Sequence, residues 1–227
     1  MATRQGKTGR KALNLEDMAK AVSAAMPTMD STEQRIAVGI YRLLAEGEPV
    51  TPQAAARAIH VPVGRVEEVL SSWPGVYRDD EGRVVGFWGL AIAKLEPEYR
   101  FVVGGKTSYT WCALDTLFIP ALLEETAAVG ATCPVTGEPV ALTVDRSGVR
   151  ELTPAGAVVS MVIPDSPFGY DVIESFCHKV LFFASEEAGA SWAAEHEGTT
   201  LLPVHDAFEL GRAMSERVAP DTFGVRS

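Results

Sequence analysis

The stretch PVGRVEEVLSSWPGVYRDDEGRVVGF, residues 62–87, decides the first half of the fold. Pro62 suits the first position of a helix, where a missing N–H costs nothing. Val63, Val66, Val69 and Leu70 then share one helical face, and Pro74-Gly75 stops the helix. Val76-Tyr77, the polar Asp79-Asp80-Glu81-Gly82, and Val84-Val85 with Phe87 read as a β-hairpin. Upstream, Thr51 caps a short helix that runs to about Ile59. Asp30 or Ser31 caps a longer one with Glu33 in its first turn, and its Ile36, Ile40, Leu43 and Leu44 form an amphipathic stripe. A further short helix spans Leu13 to Met26, closed by Pro27. Three helices and a hairpin are the plan of a winged helix.

Downstream the pattern changes. Phe101-Val102-Val103 reads as a strand before Gly104-Gly105, and Tyr109 to Leu123 as an apolar helix with Pro120 near its end. Val129 to Thr132 and Val140 to Val144 are strands bracketing the tight connection Pro134 to Pro139. Val158 to Ile163, Lys179 to Ala184 and Leu201 to Val204 are further strands. Helices are expected at Asp171 to Phe176, after Ser185, and from Asp206 to Val218. Strands with scattered helices give an α+β chain: an N-terminal winged-helix-like helical module, then a mixed or antiparallel β-sheet core with surrounding helices. The expected divisions are a flexible basic tail at 1–12, the winged-helix-like module at 13–92, and a catalytic α+β domain at 93–227.

Composition narrows the function. With 20 basic and 30 acidic residues the net charge is −10, and Arg4, Lys7, Arg10 and Lys11 of the tail hold four of the positives. The body is therefore more acidic still, which repels nucleic acid and anionic lipid. The expected recognition helix, Pro62 to Trp73, carries Arg65 against Glu67 and Glu68, a poor set for reading a major groove. No run approaches 18 apolar residues, and the N-terminus lacks the apolar core of a secretory signal. The expectation is a cytoplasmic protein with no membrane and no nucleic-acid partner.

Three cysteines, Cys112, Cys133 and Cys177, cannot all pair within one chain, and in a reducing compartment they are free thiols. Most free cysteines simply fill cores. Cys112 and Asp115 in Trp111-Cys112-Ala113-Leu114-Asp115 stand at i and i+3, on one face if helical. With Ser108 or Thr110 as cap, Cys112 would lie in the first turn, where the helix dipole favours a thiolate. The carboxylate is a plausible acid–base partner, although its charge would raise the thiol's pKa. In Phe176-Cys177-His178 the adjacent side chains of an extended segment would point apart, which disfavours a cysteine–histidine dyad. Cys133, in Thr132-Cys133-Pro134-Val135-Thr136-Gly137, lacks the second cysteine of a zinc knuckle. His60, His178, His196 and His205 supply no short ligand spacing, so a zinc site would need residues converging only in space. What remains is two thiols and one carboxyl, a set suited to a soft, large cation and a proton.

The run Tyr109 to Leu122, containing Trp111-Cys112-Ala113-Leu114-Asp115-Thr116, resembles the signature of the organomercurial lyases (alkylmercury lyases). Ser175-Phe176-Cys177-His178 with Val180 to Ser185 resembles it too, as do Thr136-Gly137-Glu138-Pro139-Val140, Pro154-Ala155-Gly156 and Val204-His205-Asp206-Ala207-Phe208, all in order. The likeness covers roughly residues 30 to 215. It implies a winged-helix-like module joined to a sheet-and-helix core, and protonolysis of a carbon–mercury bond to a hydrocarbon and Hg(II) in mercury detoxification. It assigns the chemistry to Cys112, Cys177 and Asp115, which would also hold the transient Hg(II) product, and gives Cys133 a structural role. It implies no organic cofactor and no resident metal. The partners it implies are an organomercurial substrate, with small thiols and a mercuric reductase as acceptors of Hg(II). One departure stands out: family members carry a second cysteine after the one matching Cys177, and here that position is His178. Trp111, Phe176 and Phe182 are candidates for holding the apolar organic group. The competing readings are a mercury- or thiol-sensing winged-helix regulator and a protein that binds Hg(II) without cleaving. The chain is expected to be a monomer or weak homodimer.

Overall fold

The computed structural model describes residues 14–220, so the expected tail at 1–12 lies outside the described residues. The first helices are α1 (Leu15–Ala25), α2 (Ser31–Leu44), α3 (Pro52–Ile59) and α4 (Val63–Ser72). Local chemistry sets their starts. The Asp30 carboxylate accepts from the Thr32 and Glu33 N–H groups while Glu33 accepts from the Asp30 N–H, a reciprocal cap. Thr51 caps α3 through the Ala54 N–H. Pro62 sits one position earlier than expected, as the cap of α4 rather than its first residue. Of the stripes, Ile36, Ile40, Leu44, Val66, Val69 and Leu70 are in the core, Leu43 is partly buried, and Val63, the first residue of its helix, is exposed.

The hairpin is β1 (Val76–Arg78) and β2 (Val84–Phe87), with Val50 bridging to Val84. It does not stand apart as a free wing. Strand β2 pairs with β3 (Leu90–Ala91), which pairs with β5 (Lys106–Thr110). The sheet continues through β4 (Tyr99–Val103), β6 (Ala127–Thr132), β7 (Pro139–Asp145) and β8 (Gly148–Thr153), in the order β1-β2-β3-β5-β4-β6-β7-β8. A smaller sheet has the order β10-β9-β11, from β10 (Phe182–Phe183), β9 (Val158–Met161) and β11 (Thr200–Pro203). The strand pairs of both sheets are antiparallel. The α+β class holds, and residues on both sides of position 92 share one sheet.

Helix α5 (Ala113–Leu123) lies at the centre, with all eleven residues buried. A helix apolar on every side must be enclosed on every side. Its largest helical neighbour is α8 (Val204–Val218). A Cβ at Gly211 would come within 3.2 Å of the α5 backbone at Leu117 and Phe118, so the two helices approach closely there. The Ser215 hydroxyl donates to the Phe118 carbonyl at 2.9 Å. The remaining helices are α6 (Val172–Ser175) and α7 (Glu186–Ala193), the latter capped by Ser185 as expected.

Two expectations are corrected. Tyr109 and Thr110 belong to β5, and the helix starts only at Ala113, because Lys106–Thr110 is held on one side by β4 and at its end by β3. The strand expected from Lys179 to Ala184 shrinks to Phe182–Phe183, preceded by a 3-10 turn at Cys177–Lys179. Here the buried Ser160 hydroxyl replaces part of the ladder: it donates to the Lys179 carbonyl at 2.8 Å and accepts from the Leu181 N–H at 2.9 Å.

Candidate active site

The site forms where β5 gives way to α5. Cys112 is extended (φ −151°, ψ 174°) and is itself the N-cap, not a first-turn residue, and neither Ser108 nor Thr110 caps the helix. Its N–H donates to Asp115 Oδ2 at 2.9 Å, while the Asp115 N–H points at the Cys112 sulfur. This is a capping box with sulfur in place of the usual hydroxyl. It fixes the thiol and the carboxyl relative to each other before any ligand arrives.

Cys177 reaches the same point from the other side of the fold. The Ala113 N–H donates to the Val180 carbonyl at 3.0 Å, and Val180 N–H closes the 3-10 turn on the Cys177 carbonyl at 3.0 Å. With Ser160 fastening residues 179 and 181, the turn is pinned against the start of α5. One sulfur each from Cys112 and Cys177 and one carboxylate oxygen of Asp115 lie within 4.8 Å of one another. All three residues are buried, at 0%, 3% and 7% exposure. Two sulfurs and an oxygen at this separation can close around one soft cation.

Burial governs the protonation of this cluster. It pushes the Cys112 thiol well above its ordinary value, helped by the hydrogen bond to Cys177 and the Asp115 charge. That hydrogen bond lowers Cys177, but burial and Asp115 carry it upward on balance. Burial also raises Asp115 to about 7, against hydrogen bonds from Cys112 and Trp111 that favour its charged form. The thiolate that a helix start would favour is thus overruled by desolvation: at rest the thiols keep their protons. The carboxyl sits where it can both take and give one near neutral pH.

Aromatic rings surround the cluster. Trp111 is buried, with the Tyr77 ring edge-on at 5.2 Å, so the wing hairpin reaches over the site. Phe176 lies 4.9 Å from Phe168, and Phe182 lies 6.1 Å from Tyr99. Tyr99, buried and bonded to the Val180 carbonyl at 3.5 Å, feels the charges of Cys112, Asp115 and Cys177. No periodicity in the sequence marks Tyr77 or Tyr99 as neighbours of the site.

His178 and Cys133 stand outside the cluster. The His178 ring is half exposed, 3.4 Å from Glu174. The expected separation from Cys177 holds, although a 3-10 turn rather than an extended strand produces it. Cys133 is buried in the β6–β7 connection, its N–H bonded to the Glu138 carbonyl and its own carbonyl to the Gly137 N–H, both at 2.9 Å. Burial pushes its thiol up, but the neighbouring Thr136 and the N–H groups of Ala184, Thr136 and Val135 favour the charged form and lower it on balance. The described residues hold no group of three or more metal-ligating side chains besides Cys112, Asp115 and Cys177.

Comparison with known proteins places the chain in one family. Residues 92–216 match the family model of alkylmercury lyase, and residues 16–88 match that of the helix-turn-helix domain of alkylmercury lyase. The chain is 42% identical over 177 residues to an alkylmercury lyase of Streptomyces lividans, covering 78% of this chain and 80% of that one. It is 43% identical to one of Staphylococcus epidermidis, with the same shares. It is 40% identical to one of Pseudomonas putida, covering 82% of this chain and 85% of the relative. A crystal structure of the mercury-bound form of MerB2 superposes with a TM-score of 0.70, covering 90% of this chain and 98% of that one; at 23% identity it speaks for the fold.

Proposed function

The chain belongs to the alkylmercury lyase family, and from that premise we propose how its residues cleave a carbon–mercury bond. The protein is an organomercurial lyase acting on organomercurial substrates. The observation that carries the residue assignment is the convergence of Cys112, Cys177 and Asp115, all buried, within 4.8 Å.

Mercury enters as substrate, R–Hg–X. One thiol sulfur bonds to mercury and its proton leaves with the displaced ligand as HX. The second sulfur then bonds to the same mercury and passes its proton to Asp115. Electron density from two sulfurs weakens the carbon–mercury bond. Asp115 delivers its proton to the carbon, and the bonding pair of the breaking C–Hg bond takes it up. The products are R–H and Hg(II) held by two thiolates, with Asp115 again a carboxylate beside the metal. Atoms balance as one substrate and two thiols giving one hydrocarbon, one HX and one mercury dithiolate. A positioned acid of this kind contributes about 10²–10⁴-fold. Because the thiols start protonated, the site supplies its own proton and needs no organic cofactor in these steps.

The rings of Trp111, Phe176 and Phe182, with Tyr77 and Tyr99, hold the organic group and keep water from the carboxyl. Small thiols and a mercuric reductase take up the bound Hg(II), in the cytoplasm. Among the described residues no helix is long and apolar enough to cross a membrane. Cys133 supports the fold rather than the reaction, through the bonds its sulfur receives. The test is headspace detection of benzene from phenylmercury, with purified protein and excess small thiol. Many benzene molecules per chain are expected; mercury retained without benzene would instead describe a binding protein.

A further inference from the structure

Strands β2 and β3 are joined by a two-residue turn, Trp88-Gly89, in which both residues have positive φ, 35° and 98°. A tryptophan in this region is uncommon and must be held there by its surroundings. Its carbonyl accepts from the Tyr41 hydroxyl at 2.7 Å, and its N–H donates to the Gly75 carbonyl at 3.0 Å. Its indole lies so close to Gly75 that a Cβ there would meet it at 3.1 Å. The buried Tyr41 comes from α2, so the helical module grips this turn directly.

Gly89 lies against the carboxyl of Asp115. A Cβ at position 89 would come within 2.5 Å of both Cγ and Oδ1, and within 3.0 Å of the Asp115 Cβ. The Gly89 carbonyl accepts the Trp111 N–H at 2.9 Å, next to Cys112. The carboxyl is therefore bounded twice: Oδ2 holds the Cys112 N–H, and Oδ1 rests on bare glycine backbone. A two-residue hairpin turn favours glycine on conformational grounds, and Asn or Asp is the usual substitute. The contact with Asp115 is a separate demand, since it excludes any side chain at all.

We propose that Gly89 is a positioning residue for the proton donor Asp115, and that Tyr41 holds it in place through the Trp88 carbonyl. The winged-helix-like module thereby serves the reaction as one wall of the acid's pocket. This inference rests on the assignment of Asp115 made above. A methyl at position 89 must displace the carboxyl, and a shift of about 1 Å in a reacting group costs on the order of 10²-fold in rate. Capture of mercury by the first sulfur does not depend on that carboxyl position, because its proton leaves with the displaced ligand.

Single-turnover reaction with phenylmercury separates the two events: mercury bound with loss of the first thiol reports capture, and benzene reports protonolysis. In Gly89→Ala, capture of one phenylmercury per chain at the wild-type rate is expected, with benzene release slowed about 100-fold. In Tyr41→Phe, capture is again unchanged and release falls about fivefold, the worth of one neutral hydrogen bond. Tyr41→Phe keeps the ring and its packing, so it decides the question if Gly89→Ala does not fold. Wild-type benzene release in either folded variant, or loss of capture together with release, would overturn the inference. No benzene from the wild-type chain would overturn the lyase reading itself, and this inference with it.

Discussion

Cys112 caps the helix that carries Asp115, donating its N–H to that carboxylate at 2.9 Å. A helix start normally uses Ser, Thr, Asp or Asn for this purpose. Cysteine is a poor cap, and its use here places a thiol and an acid one turn apart with their geometry set by backbone hydrogen bonds. The third group, Cys177, arrives on a turn fastened by Ala113 and Ser160. From this arrangement the effects of removing each group follow.

Cys112→Ser and Cys177→Ser should each abolish hydrocarbon release, because a hydroxyl is too hard a ligand to draw in mercury. Asp115→Ala should lower release by about 10²–10⁴-fold, the contribution of a positioned acid. Gas chromatography on folded variants checks all three. Full turnover by any of them would remove that residue from the mechanism.

The raised pKa of Asp115 makes stability depend on pH. Its ordinary value is 3.8 and its folded value about 7, so between these the native state holds a proton that the unfolded chain has lost. Stability of the mercury-free protein must then fall as pH rises from about 4 to about 7, and the loss is complete above that. At about 1.4 kcal/mol per pKa unit, the shift corresponds to a few kcal/mol. Asp115→Asn cannot ionise and should lack this fall. Urea denaturation of the two proteins from pH 4.5 to 8 checks it; parallel profiles would contradict the burial argument.

Cys133→Ser should cost about 1–2 kcal/mol of stability, since the shorter hydroxyl at this buried position leaves the N–H of the buried Ala184 poorly bonded. Turnover per folded molecule should stay near that of the wild type. A thermal melt and an activity assay on the same sample separate the two effects.

Much of this fold was legible before the structure. Helices α1 to α4 announced themselves through caps and stripes, and the hairpin through its polar turn. Strand β5 did not, because Lys106–Thr110 is short and polar and flows into a helix with no apolar period of its own. A helix buried on all sides gives no stripe from which to read its start, so the sequence points to Ser108 or Thr110 as the cap where the structure has Cys112. Strand β8 leaves no apolar alternation to read, because only Val149 of its residues is buried. The site residues were legible through resemblance, since nothing local says that Cys177 meets Cys112. That meeting depends on Ser160 and Val180, whose roles are tertiary. Gly89 gave no signal beyond a glycine after an aromatic residue, and its contact with Asp115 exists only once the hairpin joins the main sheet.

The winged-helix-like module should not bind DNA at about 0.15 M salt. Arg65, the cation of α4, is already engaged by Asp30, Glu33 and Glu68. With Glu67 and Glu68 beside it, the helix offers few free donors for phosphates or bases. A gel shift with random duplex DNA checks this; a retained complex, altered by mercury, would point to a regulator instead.

In the proposed reaction two sulfurs capture the organomercurial and one carboxyl delivers the proton. Single turnover of phenylmercury by Asp115→Asn separates these roles. Asp115→Asn should bind one phenylmercury per chain and release benzene about 10²–10⁴-fold more slowly than the wild type. Benzene from Asp115→Asn at the wild-type rate would contradict the proposed reaction.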